Sequence, residues 1–324
     1  MKRFLLVLAC LVLAPFAAAE EVERAVDRSI AVTFDDLPWQ RIGQVPEGEL
    51  AGRQQQLLAA LRAADVPVTG FVNESGLEVD GERDPERMRM LLAWLEAGLQ
   101  LGNHTWGHSD LHEVGADAFR ADIVRGEQAL RPLLAGLGHA PEWFRHPHLH
   151  TGRDEEEAKA VAAFLAERGY RVAPVTVGAG GELWSAAYAN VLDRHERGPE
   201  RMELLERLHG GYVSWLLHRL DFRERQSRAL FDRAVPQVLQ LGANGLNAVA
   251  FDGLIDGMRR RGYRFVDLGT ALADPAYAEP PAYYGEDGPE WLQRWAAGKR
   301  RLPRAYSAGE PMVPAWVRDL AEAP

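Results

Sequence analysis

The sequence predicts an α/β fold, a distorted (β/α) barrel of about seven parallel strands. Three observations carry that expectation. Short apolar, β-branched runs alternate with longer stretches of helical periodicity, the signature of a parallel sheet with helices outside it. The chain has 324 residues, enough for one large α/β domain or two small ones. Acidic, histidine and arginine residues gather at the C-terminal ends of the predicted strands, where both barrels and open α/β sheets build their sites. An open doubly wound sheet is the alternative architecture.

The elements follow in order. Residues 29–34 are apolar and β-branched and read as the first strand, and 48–64 as an amphipathic helix. Residues 68–72 form a second strand. Residues 85–97 form a helix with Pro85 in its first turn, where a missing N–H costs nothing. Residues 99–102 form a short strand, 117–134 a helix and 142–145 a strand. Residues 155–168 form a helix stopped by Gly169, and 170–177 another strand. Residues 187–231 are mostly helical, with breaks expected at Gly198-Pro199 and Gly210-Gly211. A strand over 237–241, a helix over 251–261 and a strand over 264–268 complete the pattern. No internal repeat or long linker interrupts it.

Before the first strand lies a different kind of segment. Lys2 and Arg3 precede an apolar run over residues 4–16, and Ala17-Ala18-Ala19 offers a small-x-small cleavage site. This predicts a signal peptide over residues 1–19 and an exported, periplasmic or extracellular protein. The run is short for a membrane span, so no span is expected in the mature chain. The only cysteine, Cys10, lies inside the run. The mature chain would therefore have no disulfides, and any metal would be held by His, Asp or Glu. A net charge of −10 argues against nucleic acid as a partner, because phosphate binding needs a basic surface. The tail over 276–324 is rich in Pro, Tyr and Trp; its aromatics are expected to pack it onto the barrel.

The chemistry concentrates in Asn103-His104-Thr105-Trp106-Gly107-His108. Imidazoles at i and i+4 would share one side of a helical turn and could reach one metal ion. The adjacent pair Asp35-Asp36 at the end of the first strand can supply a third ligand. Two histidines and a carboxylate are a common way to hold a catalytic zinc with one position open. Adjacent carboxylates at a strand end point in different directions, so one can ligate while the other stays free as a base.

These residues resemble the polysaccharide deacetylases (NodB-homology domain, carbohydrate esterase family 4), roughly over residues 30–272. Thr33-Phe34-Asp35-Asp36 matches the first family motif. His104 to His108 match the second, His-Ser/Thr-x-x-His. Phe144-Arg145-His146-Pro147-His148 is similar to the third, Arg-x-Pro-Tyr, and Gly262-Tyr263-Arg264-Phe265-Val266 to the closing strand. The resemblance implies a deacetylase domain over 26–275 that removes N- or O-linked acetyl groups from an oligo- or polysaccharide. It implies one divalent metal, zinc being expected, on Asp36, His104 and His108. It implies Asp35 as general base, Arg145 as the residue orienting it, and an oxyanion-holding backbone N–H near His148. His148 and His150 are further candidates for the pocket, with Trp184 and Glu182.

Two family features are missing. The fourth motif supplies an Asp and a Trp, whereas Gly178-Ala179-Gly180-Gly181-Glu182-Leu183-Trp184 stands here. The fifth, Leu-x-Leu-His, supplies a general acid, whereas Leu239-Gln240-Leu241 is followed by Gly242. Their joint absence raises two alternatives: a metal- or sugar-binding homologue with impaired turnover, or an amidase acting on a small non-glycan amide.

Overall fold

The computed structural model describes residues 28–178, 180–299, 302 and 306–322. The expected signal peptide lies outside the described residues.

The strands are β1 (Arg28–Leu37), β2 (Val68–Val72), β3 (Glu78–Val79), β4 (Glu82–Arg83), β5 (Gln100–Asn103), β6 (Trp143–Phe144), β7 (Arg171–Val172), β8 (Gln237–Gly242) and β9 (Tyr263–Phe265). The helices are α1 (Leu50–Ala64), α2 (Pro85–Glu96), α3 (Leu111–Arg125), α4 (Leu130–Ala135), α5 (Glu155–Glu167), α6 (Gly181–Arg194), α7 (Pro199–Phe231), α8 (Gly245–Arg260), α9 (Leu268–Leu272), α10 (Trp291–Ala297) and α11 (Ala315–Glu322). Seven strands form one parallel sheet in the order β7-β6-β5-β2-β1-β8, with β9 also paired to β1, while β3 and β4 form a separate hairpin. Beyond β7 the chain returns to the other edge, where Val177 bridges Leu239 of β8. That return bends the sheet into the expected distorted barrel.

β1 and β2 are buried almost throughout, as parallel strands covered on both faces must be. β1 sits centrally and pairs with β2, β8 and β9. Its C-terminal carboxylates are thereby held between the ends of β2, β5 and β8. Phe34 of β1 packs edge-on against Trp94 and at a tilt against Phe251.

The structure departs from expectation in several elements, each for a local reason. The strand expected over 170–177 forms a ladder only at Arg171–Val172 and an isolated bridge at Val177; Pro174 between them has no N–H to give a ladder. The helix expected over 117–134 is two helices, α3 and α4. Between them Gly126 lies against the 105–106 backbone, where a Cβ would come within 2.6 Å of the Thr105 carbonyl carbon. The break expected at Gly210-Gly211 does not occur, and α7 runs through it. A Cβ on Gly211 would meet the Trp184 ring at 3.0 Å, so this glycine serves close packing between α6 and α7 instead of ending a helix. His104 and His108 do not share a helix. They lie in the loop after β5, where Thr105 (φ 68°) and His108 (φ 57°) adopt left-handed conformations.

The tail packs on the barrel through α10 and α11. Trp291, Leu292 and Trp295 form a buried cluster, and α11 lies on α6 with Trp316 edge-on to Trp184.

Candidate metal centre and active site

Asp36 closes β1 in a left-handed conformation (φ 65°), a region that Asp enters more readily than most residues. The turn separates the two carboxylates. Asp36 Oδ1 faces His104 Nε2 at 3.8 Å and His108 Nε2 at 3.6 Å. Its Oδ2 accepts a hydrogen bond from Gln40 Nε2 at 2.9 Å.

His104 is prepared as a ligand by its surroundings. It is buried at the end of β5, and Nδ1 donates to the Arg145 carbonyl at 2.7 Å, which leaves the Nε2 lone pair aimed at Asp36. Burial pushes its pKa down to about 4, only partly offset by Asp35, so the ring is neutral at pH 7 as metal ligation requires. Asn73 and Asn103 fix the loop, Asn73 by donating to the His104 carbonyl and Asn103 by accepting from Thr105 N–H. One ligand atom from each of Asp36, His104 and His108 lies within 4.8 Å of the others. A carboxylate oxygen and two imidazole nitrogens at this spacing fit a single divalent cation of the zinc type.

A second cluster, Asp110, His112 and His150, has similar spacing but different chemistry. His112 Nδ1 bonds the Glu286 carbonyl and Nε2 accepts from Gly152 N–H, so neither nitrogen offers a free lone pair. His150 Nδ1 bonds Asp110 at 2.6 Å and its ring stacks on His112. This is a loop-holding network.

Asp35 lies beside the candidate ligands, its Oδ2 3.9 Å from His104 Nε2. Its Oδ2 accepts from Gln240 Nε2 at 2.6 Å. Its Oδ1 is buried, accepts no hydrogen bond and lies 3.7 Å from Arg145 Nε, an ion-pair separation too long for a hydrogen bond. Arg145 is fully buried, donates to Thr33 Oγ1 at 2.8 Å and sits over the Phe71 ring. The guanidinium therefore has one anionic neighbour and a fixed orientation.

These groups open onto a cavity of about 220 Å³. Glu182 and His148 line it, and His148 stands edge-on to His108 with ring centroids 4.7 Å apart. His150 and Trp184 are not among the lining residues. His150 is turned to Asp110. Trp184 is 1% exposed and packs among Tyr212, Trp215 and Trp316, so it belongs to the core. The opposite wall holds side chains not anticipated from sequence: Gln40, Gln240, Asn244, Asn247 and Tyr212. They interlock: Asn244 Nδ2 donates to Gln40 Oε1 at 2.9 Å, and Tyr212 to Asn247 Oδ1 at 2.8 Å. Gly242 lies against this network, and a Cβ there would meet Gln40 Oε1 at 2.9 Å. The only sequence signal for the network was the run of amides around Gly242, and amides are common in turns.

Residues 23–171 match the polysaccharide deacetylase family model. A peptidoglycan-N-acetylglucosamine deacetylase of Bacillus cereus is 29% identical over 119 residues, 37% of this chain and 36% of that protein; the chain thus aligns with about a third of that relative's length. Among solved structures, the family 4 carbohydrate esterase of Streptomyces lividans is similar at 17% identity and a TM-score of 0.47, covering 76% of this chain and 97% of that one. The chitin deacetylase of Colletotrichum lindemuthianum is similar at 20% identity and a TM-score of 0.49, covering 77% and 89%. Over residues 23–171, a little under half of its length, this chain is similar to the polysaccharide deacetylases.

Proposed function

We propose that this protein is an exported, metal-dependent hydrolase that removes acetyl groups from a glycan. The observation that carries the reading is the convergence of Asp36, His104 and His108 beside a separate carboxylate, Asp35, at the floor of one cavity. A divalent cation held by those three side chains would supply Lewis acidity, lowering the pKa of a water and polarising the acetyl carbonyl.

The protein's own groups do the rest. Asp35, whose Oδ2 lies 3.9 Å from His104 Nε2, is the carboxylate that accepts the proton of the attacking water. Gln240 holds Oδ2, which fixes the carboxylate plane, and the Arg145 guanidinium stands beside Oδ1. Asp36 is kept from the base role by Gln40 and by its orientation toward the two histidines. No histidine occupies the Gly242 side, so the groups available to return the proton to a leaving group are Glu182 and, from the other wall, His148. An alkoxide leaves more readily than an unprotonated amine, so acetyl esters are expected to react faster than acetamides. Export rests on the sequence of residues 1–19; among the described residues no helix is long and apolar enough to cross a membrane.

The test is direct. Residues 20–324 are purified, bound zinc is measured, and acetate release is followed from acetylated chito-oligosaccharides and acetylated xylan. Release that requires zinc supports the reading. Stoichiometric zinc with no acetate from any substrate refutes it and favours a metal- or sugar-binding protein that has lost turnover. N-terminal sequencing of protein recovered from the periplasm or medium tests the cleavage after Ala19.

A further inference from the structure

Both walls of the cavity are braced by one stretch of the tail, residues 286–294, which lies beyond the segment that matches the family model. On one wall, Arg294 donates through Nη2 to the Leu149 carbonyl and through Nη1 to Thr151 Oγ1 at 2.8 Å. The Glu286 carbonyl bonds His112 at 3.2 Å, and His112 in turn holds Gly152. Gly288 lies so close to this wall that a Cβ would stand 1.9 Å from the His148 carbonyl oxygen. On the other wall, the Trp291 N–H donates to the Val175 carbonyl at 2.7 Å, and Glu290 Oε1 accepts from Gly178 N–H at 3.0 Å. Gly178 lines the cavity, as does His148.

Glu290 is 1% exposed and is held by the buried Arg219 and Arg223 of α7, which also pair with Glu310. Two arginines face two carboxylates, Glu290 buried and Glu310 at the partly exposed edge. Such clusters keep one geometry because losing any member leaves a buried charge uncompensated. The Arg294 guanidinium is likewise buried, against Trp291.

We propose that residues 286–294 are a positioning strap for the active site, with Arg294 and Gly288 setting the His148 wall and Glu290 setting the Gly178 wall. The width of the cavity, and hence the fit of the substrate, is then decided by the tail. Asp35 and Asp36 are placed by β1, and His104 by the end of β5 and the Arg145 carbonyl, with no strap residue bonded to them, while His108 meets the His148 ring edge-on. The strap therefore acts on substrate binding more than on the chemical step. Where turnover is the readout, the proposal rests on the deacetylase reading above.

The test uses the full chain with Gly288→Ala, Arg294→Gln and Glu290→Gln, compared by hydrogen exchange and by kinetics. Gly288→Ala and Arg294→Gln should speed exchange about tenfold over residues 147–151, and Glu290→Gln over 175–178, with β2 and β5 unchanged, since local openings are separable from global unfolding. On whichever acetylated oligosaccharide the parent turns over, KM should rise about tenfold while kcat stays within about twofold. The proposal is overturned if exchange is unchanged in both walls, or if it rises equally throughout the chain, which would mark the strap as a stabiliser only. It is overturned equally if KM is unmoved in variants that are folded. A parent chain that releases no acetate refutes the deacetylase reading instead, and the exchange data still decide the strap.

Discussion

Gly242→His places a histidine where the resemblance to polysaccharide deacetylases implies a general acid, and the structure predicts that alone it is poorly accommodated. The new Cβ would stand 2.9 Å from Gln40 Oε1 and 3.0 Å from Asn244 Nδ2, so the Gln40 side chain must swing away. Doing so breaks its bonds to Asp36 and Asn244. At about 1 kcal/mol for each net hydrogen bond, more where a carboxylate accepts, the change should cost roughly 2–4 kcal/mol of stability. Asp36 also loses a partner that orients it, which lowers metal affinity about 10–100-fold. Gly242→His with Gln40→Ala removes the steric conflict. At saturating zinc that double variant should gain toward the 10²–10⁴-fold that a general acid typically contributes on amide substrates, with little gain on esters. The assay is a double-mutant cycle: acetate release from an acetamide and an acetyl ester for parent, both single variants and the double, with urea unfolding of each. Equal gains from Gly242→His in the presence and absence of Gln40 would refute the idea that the amide network occupies the acid's place. So would a Gly242→His protein as stable as the parent.

Other consequences are simpler. Asp35→Asn should lower turnover about 10²–10⁴-fold while leaving stoichiometric zinc bound, whereas His104→Gln should weaken zinc binding itself; both are read by acetate release and a chelator competition. Trp184→Ala should destabilise the fold by about 3–5 kcal/mol in denaturant unfolding and leave KM unchanged, because the ring is core and outside the cavity. The metal-free protein should lose stability on acidification below the free-imidazole range. Burial holds His104 at about 4 and His146 at about 3, so between about pH 6.5 and those values the unfolded chain binds protons that the native state does not. Each histidine contributes up to about 1.4 kcal/mol per pH unit in that window, and the contribution is complete above it; Tm measured against pH checks the direction.

Much of this site could be read from the chain because its parts are local. A strand ending in Asp35-Asp36 and another ending in His104 carry their chemistry with them, since a parallel sheet delivers all its C-terminal ends to one side. The metal cluster is thus a matter of strand order plus two short motifs. The helical rationale for the histidine pair was wrong in detail, yet the pair converges, because the left-handed residues Thr105 and His108 curl the loop as tightly as a helical turn would.

Sequence alone determined the parallel α/β architecture, the candidate ligands and the glycine at position 242. Each of these follows from residue type and periodicity over a few positions. Tertiary structure decided that Trp184 is core while Glu182 faces the cavity. It decided that His150 serves Asp110, and that Gln40 and Gln240 tie down the two carboxylates. It also decided that a tail more than a hundred residues beyond His148 holds the walls. Those outcomes depend on contacts between segments remote in the chain. A buried arginine or an amide carries no mark in sequence of the partner that packing will bring to it.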